Sequence, residues 1–267
     1  MNDSKDRLGD RLKAMESTYG SISVKPSEHL YVRLDGRSFS RFTRSFDKPF
    51  DVDMHSLMLN VTTALAVENS VTLAYFQSDE ISLAWRPRVS EAFQHMFDGK
   101  VQKLCSVLAS QAGSLMMYYM LKEQLHPSRA EFHPHFDARV VGFESDEDLI
   151  DMFAWRAKDA QRNAVSSAAC TVASHKLLQN LKSSQKLEVI ANAGVDFEAY
   201  PASFRFGTFI VPVKRSVPAS IDIPEQFRPA SGFVERSFYE PHFIPETKYA
   251  AIKDQIRSVY LKPRSGE

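Results

Sequence analysis

The chain has 267 residues, of which 43% are hydrophobic and 25% are charged, and these values are ordinary for a globular protein with one large domain, with or without an appendage. Its 33 basic and 33 acidic residues give a formal net charge of zero, which argues against a generally basic nucleic-acid-binding protein but allows a local basic surface. No apolar run approaches the length that crosses a bilayer, and the polar start is no secretion signal, so no membrane partner is expected.

Apolar periodicity predicts a series of helices and strands in the first half of the chain. In chain order, the predicted elements are a charged helix at 6–17, a strand at 29–35, a helix at 53–69, a β-hairpin within 71–86, a helix beginning at 101 and a strand at 137–143. Two cysteines, Cys105 and Cys170, fall in apolar patterns of helical spacing. We therefore expect both to be buried thiols of a cytoplasmic protein.

From the first strand onward, the element order is strand, helix, strand, strand, helix, strand, as in the split βαβ order of ferredoxin-like folds. Right-handed crossovers place the third strand beside the first, in an antiparallel sheet of order four-one-three-two. The predicted fold class is therefore α+β, a ferredoxin-like βαββαβ sheet with additional helices. In this topology the carboxyl end of the first strand and the tip of the hairpin lie at the same edge.

The chain beyond residue 213 has weaker patterns. Five prolines from Pro218 to Pro245 argue against long regular elements, although a final helix is predicted at 248–260. We therefore expect residues 1–213 to form a catalytic domain with an N-terminal helix. Residues 214–267 are expected to be an appendage that packs on this domain or completes a subunit interface.

Acidic residues are expected to converge at the shared edge of the sheet. Asp35 ends the first strand, and Asp79 and Glu80 form the hairpin tip. Adjacent acids repel each other, so they are unfavourable there unless a cation binds. Carboxylates and a backbone carbonyl near Gly36 are the ligands that magnesium prefers, which predicts two-metal phosphoryl or nucleotidyl transfer. The alternative is a plain strand-ending turn and an exposed hairpin tip, but convergence of both motifs favours the metal site.

Basic and aromatic residues follow the first strand. Arg37 and Lys48 are candidates to hold phosphates, and Gly36 would let a triphosphate approach the backbone closely. Phe39, Phe42 and other aromatic residues of this stretch could stack on bases, but their helical spacing favours core packing.

The ordered motifs resemble the tRNA-histidine guanylyltransferase family. The matching segments, which extend over about residues 28 to 210, are Tyr31–Phe39, Lys48-Pro49, Tyr75–Ser82, His135–Val141, Trp155-Arg156 with Asp159 and Asn163, and Arg205–Thr208. The resemblance implies a polymerase-like palm domain, a homotetramer and a tRNA partner. It also implies addition of nucleotides to a tRNA 5′ end in the 3′-to-5′ direction, with ATP and GTP or other nucleoside triphosphates as substrates.

The resemblance also implies residue roles. Asp35, Asp79 and Glu80 would be catalytic, and Asp35 and Asp79 would bind two magnesium ions together with the carbonyl of Gly36. The implied nucleotide-binding residues are Arg33, Arg37, Ser38, Phe39, Lys48, Ser78 and Arg205. In the family, ATP first adenylylates a 5′-monophosphate, and the 3′-hydroxyl of an incoming nucleotide then displaces AMP. A 5′-triphosphate end can skip the first step.

One segment departs from the family pattern. Members that add a guanylate to histidine tRNA carry H-I-N-N-L-Y-N where this chain has Gln161–Ser167, and only Asn163 is retained. The departure favours the guanylyltransferase-like branch, for which template-directed repair of 5′-truncated tRNA is expected, over strict guanylate addition. A palm-fold nucleotide cyclase is less favoured because of Lys48-Pro49, and a non-catalytic relative because the acids are intact.

The helix that contains this segment begins with a capping box at Ser145-Asp-Glu-Asp148. Arg156, Lys158, Arg162 and Asn163 on this helix are candidates for a tRNA-binding surface. The alternative is a solvated helix face, which the charge pattern alone favours.

Overall fold

The computed structural model describes residues 7–87, 94–125, 133–219, 229 and 231–261. Its strands form one antiparallel sheet of order β4-β1-β3-β2-β5-β6, so the predicted four-one-three-two order is confirmed. The strands are β1 His29–Arg37, β2 Leu73–Gln77, β3 Glu80–Trp85, β4 His135–Phe143, β5 Thr208–Pro218 and β6 Phe233–His242.

Helices cover both faces of the sheet. They are α1 Arg7–Gly20, α2 Phe39–Phe42, α3 Val52–Glu68, α4 Val101–Lys122, α5 Asp146–Val172, α6 His175–Leu178, α7 Ser183–Asn192, α8 Ala202–Phe206 and α9 Tyr249–Tyr260. Residue alternation in β1 assigns the two cores: Leu30 and Val32 pack with α3 and α4, whereas Tyr31 packs with α5 and α9. Residues of α6, α7 and the end of α5 form a third, smaller apolar cluster.

The predicted start of α5 is confirmed. Ser145 is its N-cap and accepts a hydrogen bond from the backbone N–H of Asp148. The final helix is also present as α9. The phenylalanines that follow β1, including Phe39 and Phe42, are buried in the α3–α4 core, as their spacing favoured.

The expectation that residues beyond 213 form no long regular elements is wrong. β5 and β6 pair along ten residues each, although Pro212, Pro218 and Pro241 lie within them. β5 pairs with β2 only through Thr208–Ile210, so the rest of the hairpin has free edges that tolerate a missing N–H donor. β5 runs through the predicted boundary at residue 213, and the division into two domains stays a prediction.

Two other features of the helices differ from expectation. Cys170 is exposed and Cys105 is only half-buried, so the prediction that both thiols are buried is wrong. Helix α4 is, among the described residues, the one helix long and apolar enough to cross a membrane by length and composition. Its stripe through Leu104, Leu108 and Met116 is buried against the sheet, as in the core helix of a globular domain.

Candidate active site

The end of β1 and the β2–β3 turn meet at one edge of the sheet. Asp35 lies opposite Glu80 in the β1–β3 register, and the N–H of Gly36 donates to the backbone oxygen of Asp79 at 3.1 Å. Because opposed residues of paired strands point to the same face, the side chains of Asp35 and Glu80 are both directed towards α5. The predicted convergence of these segments is therefore present in the structure.

Gly36 is a close-packing position. A Cβ atom on Gly36 would lie 2.4 Å from the ring of Phe39, so a larger residue would displace that ring. From the sequence, this glycine is predicted to let a triphosphate approach the backbone. The structure adds a packing reason, because the buried ring of Phe39 fixes the chain as it leaves β1.

Asp79 lies in the two-residue turn between Gln77 and Glu80. Burial raises the pKa of Asp79 to about 6, and the nearby charge of Asp35 acts in the same direction. Within the described ranges, Asp79 forms no salt bridge with a basic side chain, whereas Asp35 has Arg139 at 3.3 Å. A half-buried carboxyl beside a second carboxyl, without a basic partner, is suited to a cation.

Glu80 is held by Arg156 of α5. The guanidinium donates to both carboxylate oxygens at 2.6 Å, and Arg33 lies 3.8 Å away on the other side. Burial raises the pKa of Glu80, while the two hydrogen bonds from Arg156 favour its ionised form. Arg156 is itself only 7% exposed, so the alternative of a solvated helix face is wrong for this residue, and its part in tRNA binding stays a prediction.

Glu80 is directed to Arg156. Of the three predicted acidic residues at this edge of the sheet, Asp35 and Asp79 therefore remain as candidate metal ligands. No group of three or more His, Cys, Asp or Glu side chains is arranged to hold a metal ion in the part of the chain that the structure describes. A role for Glu80 beside magnesium stays a prediction.

A cavity of about 510 Å³ opens over this edge, a volume within the usual range for small-molecule sites. The predicted site residues that line it are Asp35, Phe39, Lys48, Ser78, Asp79, Glu80, Arg156 and Asn163. The Nζ of Lys48 donates to the carbonyl of Thr43 at 3.1 Å, which holds this exposed side chain beside the cavity. The cavity is therefore lined by acidic side chains at the sheet edge and also by one lysine.

Other predicted site residues do not line the cavity; they are Arg33, Gly36, Arg37, Ser38, Lys158, Arg162 and Arg205. Arg205 donates to Glu198 and to the carbonyl of Tyr200, so its guanidinium is engaged within the helical segment. Lys158 donates to the carbonyl of Thr247 at 2.8 Å. Nucleotide or tRNA binding by these residues stays a prediction.

The aromatic end of the cavity was not predicted from the sequence. Phe50, His55 and Phe204 line it, together with Phe76 of β2. Phe50 directly follows Lys48-Pro49, which was a usable signal. His55 and Phe204 gave no such signal, because one lies on an apolar helix and the other is distant in sequence.

Comparisons with known proteins agree with this architecture. A family model described as tRNAHis guanylyltransferase matches residues 9–144. The chain is 28% identical over 223 residues to an uncharacterized protein of Acanthamoeba polyphaga mimivirus, covering 76% of each chain. It is 28% identical over 215 residues to a probable tRNA(His) guanylyltransferase of Drosophila melanogaster, covering 75% of this chain and 73% of the relative.

Solved structures show the same fold. A bacterial tRNA(His) guanylyltransferase (Thg1)-like protein in complex with ATP superimposes with a TM-score of 0.75 at 24% identity, over 95% of this chain and 97% of that one. A complex of a bacterial Thg1-like protein with GTP gives a TM-score of 0.73 at 24% identity, over 96% and 99%.

The antiparallel palm-type sheet, the carboxylates at its edge and these relatives define a nucleotidyltransferase. More narrowly, the family match extends over more than half of the chain. The chain belongs to the tRNAHis guanylyltransferase family.

Proposed function

We propose that this protein is a magnesium-dependent nucleotidyltransferase that adds nucleotides in the 3′-to-5′ direction to tRNA 5′ ends. Its main activity is template-directed repair of 5′-truncated tRNA, after ATP has activated the 5′ phosphate. The observation that carries the proposal is the cavity that Asp35 and Asp79 both line, at the end of β1 and the β2–β3 turn, with Asp79 close enough to sense the charge of Asp35. The ATP and GTP complexes of the bacterial neighbours support nucleoside triphosphates as substrates.

The acidic end of the cavity fits magnesium by its chemistry. Asp79 is buried enough to raise its pKa, it is close enough to Asp35 to sense its charge, and hard oxygen ligands suit this ion. Asp35, Asp79 and the carbonyl of Gly36 would hold the ions. When bound, magnesium supplies charge stabilisation for the attacking and leaving oxygens of an in-line displacement.

The chain itself contributes position and charge. Lys48 and Ser78 line the cavity and would hold phosphate oxygens, which places the triphosphate against the carboxylates. Arg156 fixes Glu80, and Glu80 follows Asp79 directly, so the ion pair holds the turn in place. These residues act by orienting reactants, which converts a bimolecular step into an effectively unimolecular one.

The preference for repair rests on the cavity wall formed by α5. Ala164 and Ser167, which stand where the family motif has asparagines, both line the cavity. Small side chains at these positions leave room for a paired template end. Guanylate addition to histidine tRNA remains the second candidate, because the relatives have that name. Assembly as a homotetramer is part of the proposal and rests on the family alone.

The test is an extension assay with 3′-labelled tRNAs, intact or lacking the first nucleotide, with magnesium, ATP and all four nucleoside triphosphates. We expect the truncated tRNA to gain the nucleotide that pairs with its template base, and to gain a different nucleotide when that base is changed. Asp35→Ala and Asp79→Ala should abolish extension, because each removes one of the two acids. Asp10→Ala, on the exposed face of α1, is the matched control and should retain it.

Other outcomes would revise the proposal. Addition of one guanylate to intact histidine tRNA alone would support the second candidate and contradict repair. If Asp79→Ala still extends the tRNA, this cavity is not the active site of the reaction.

A further inference from the structure

The aromatic end of the cavity has no role in the reaction as proposed. The ring of His55 lies 5.6 Å from that of Phe50 and 5.3 Å from that of Phe76, and Phe204 lies 5.7 Å from Phe50. These centroid distances are typical of packed aromatic pairs. All of these residues line the same cavity as Asp79.

His55 is the polar member of this aromatic wall. Among the described residues, its imidazole has aromatic contacts but no hydrogen bond and no salt bridge. The residue is half-buried, and ring nitrogens on the wall of an open cavity can bond water or a ligand. The imidazole of His55 is therefore placed to bond a ligand.

The charge state of His55 limits the kind of ligand that its imidazole can bind. Burial lowers the pKa of His55, and no acidic side chain pairs with it, so the imidazole is neutral near pH 7. A neutral imidazole presents one hydrogen-bond donor and one acceptor and has no charge to attract phosphate. It suits the edge of an uncharged heterocycle.

The position of the wall relative to the acids suits a nucleotide. Phe76 precedes Asp79 by three residues, which span at most about 10 Å of extended chain. A ligand with phosphates beside Asp79 can therefore place its base against Phe76 and His55. The aromatic rings offer stacking surfaces that every base can use. Within this aromatic wall, His55 is the residue that can also form a directional hydrogen bond.

We propose that His55 reads the nucleobase of the bound nucleoside triphosphate through one hydrogen bond to the base edge, while Phe50 and Phe204 supply the apolar wall. This inference rests on the proposed function, because it takes the nucleotide site as given. His55 is then a specificity-determining residue, distinct from the groups that hold phosphate.

The test measures equilibrium dissociation constants without tRNA, for ATP, GTP, CTP, UTP, inosine triphosphate and the 7-deaza analogues of ATP and GTP. Three variants are compared with the wild type. His55→Phe keeps a ring but removes both nitrogens, His55→Asn restores a donor and an acceptor, and His175→Phe changes an exposed histidine of α6 outside the cavity. Circular dichroism and thermal unfolding confirm that each variant is folded.

We expect His55→Phe to weaken binding of the preferred nucleotide about threefold to tenfold, as for the loss of one hydrogen bond. His55→Phe should not weaken binding of the one analogue that lacks the base atom bonded by His55. The effect of the residue substitution and the effect of the base substitution are then not additive. His55→Asn should recover part of the discrimination, and His175→Phe should resemble the wild type.

Equal loss for every nucleotide and analogue would mean that His55 only packs, and would overturn the inference while the proposed function stands. No change for any ligand would overturn it in the same way. If the wild type binds no nucleoside triphosphate at all, the proposed function fails as well, so the two failures are distinguishable.

Discussion

Asp79 is half-buried beside a second carboxyl group, and this makes the residue sensitive to pH when no cation is bound. The pKa of Asp79 is raised from 3.8 to about 6 by burial and by Asp35. Between these values the folded state binds more protons than the unfolded state. The free energy of unfolding therefore falls as pH rises from about 4 to about 6.

Asp79→Asn removes this dependence. The shift is about two pKa units at ~1.36 kcal/mol each, so in chelator-containing buffer we expect the variant to gain at most about 3 kcal/mol relative to the wild type as pH rises from 4 to 7. Urea unfolding at several pH values measures it. Magnesium should stabilise the wild type more than Asp79→Asn. A difference between the two proteins that does not change with pH would contradict the burial of this carboxyl.

The site residues differ in how well sequence could predict them. Asp35 and Asp79 follow from strand ends and handedness, because topology alone decides which ends share an edge. Arg156 has the charge of a surface residue, and its contacts with Glu80 and Asp159 explain its burial. His55 falls within an apolar helical pattern, and its place on the cavity depends on Phe76 and Phe50.

At the level of elements, the Arg156–Glu80 pair joins α5 to the start of β3. We expect Arg156→Met to destabilise the protein by about 3 kcal/mol, because the buried charge of Glu80 loses both of its hydrogen bonds from Arg156 and keeps only Arg33, at 3.8 Å. The double variant Arg156→Met with Glu80→Gln should be more stable than the single variant. Arg162→Met is the matched control. Arg162, like Arg156, forms a salt bridge with Asp159, but it is largely exposed, so its replacement should change stability by less than about 1 kcal/mol.

The measurement is urea unfolding of the wild type, the two single variants and the double variant in chelator-containing buffer. Equal stability of Arg156→Met and the double variant would contradict the prediction, because it would show that the charge of Glu80 does not cause the loss of stability.

Strands β1, β2 and β3 were predictable because both faces of this part of the sheet are covered, so most of their residues are buried and many are apolar. β5 and β6 were not predictable on that basis. Beyond Ile210 their hairpin has little cover, so polar and charged residues interrupt its apolar ones, and it includes prolines that free edges tolerate. Sequence patterns report burial, and this ribbon is stabilised by its own pairing.

For the whole molecule, the segment after residue 213 contributes to the main fold. Ile252 and Ile256 of α9 are buried in the cluster that α5 forms with the sheet. The hydroxyl of Tyr260 bonds Nδ1 of His29 at the start of β1, and Arg86 at the end of β3 donates to the carbonyl of Tyr260. The last helix therefore ties together elements distant in the chain.

We expect α9 and the palm to unfold together as one cooperative unit. Ile256→Ala should cost about 2–4 kcal/mol through lost burial and a cavity, and Tyr260→Phe about 1–2 kcal/mol through loss of the hydrogen bond to Nδ1 of His29. Each variant should lower the urea midpoint monitored by far-ultraviolet circular dichroism and by tryptophan fluorescence alike, because Trp85 lies in the sheet core. Exposed Leu177→Ala is the control and should change little. If residues 214–267 were a separate appendage, α9 would unfold first in Ile256→Ala, and the tryptophan signal would keep the wild-type midpoint.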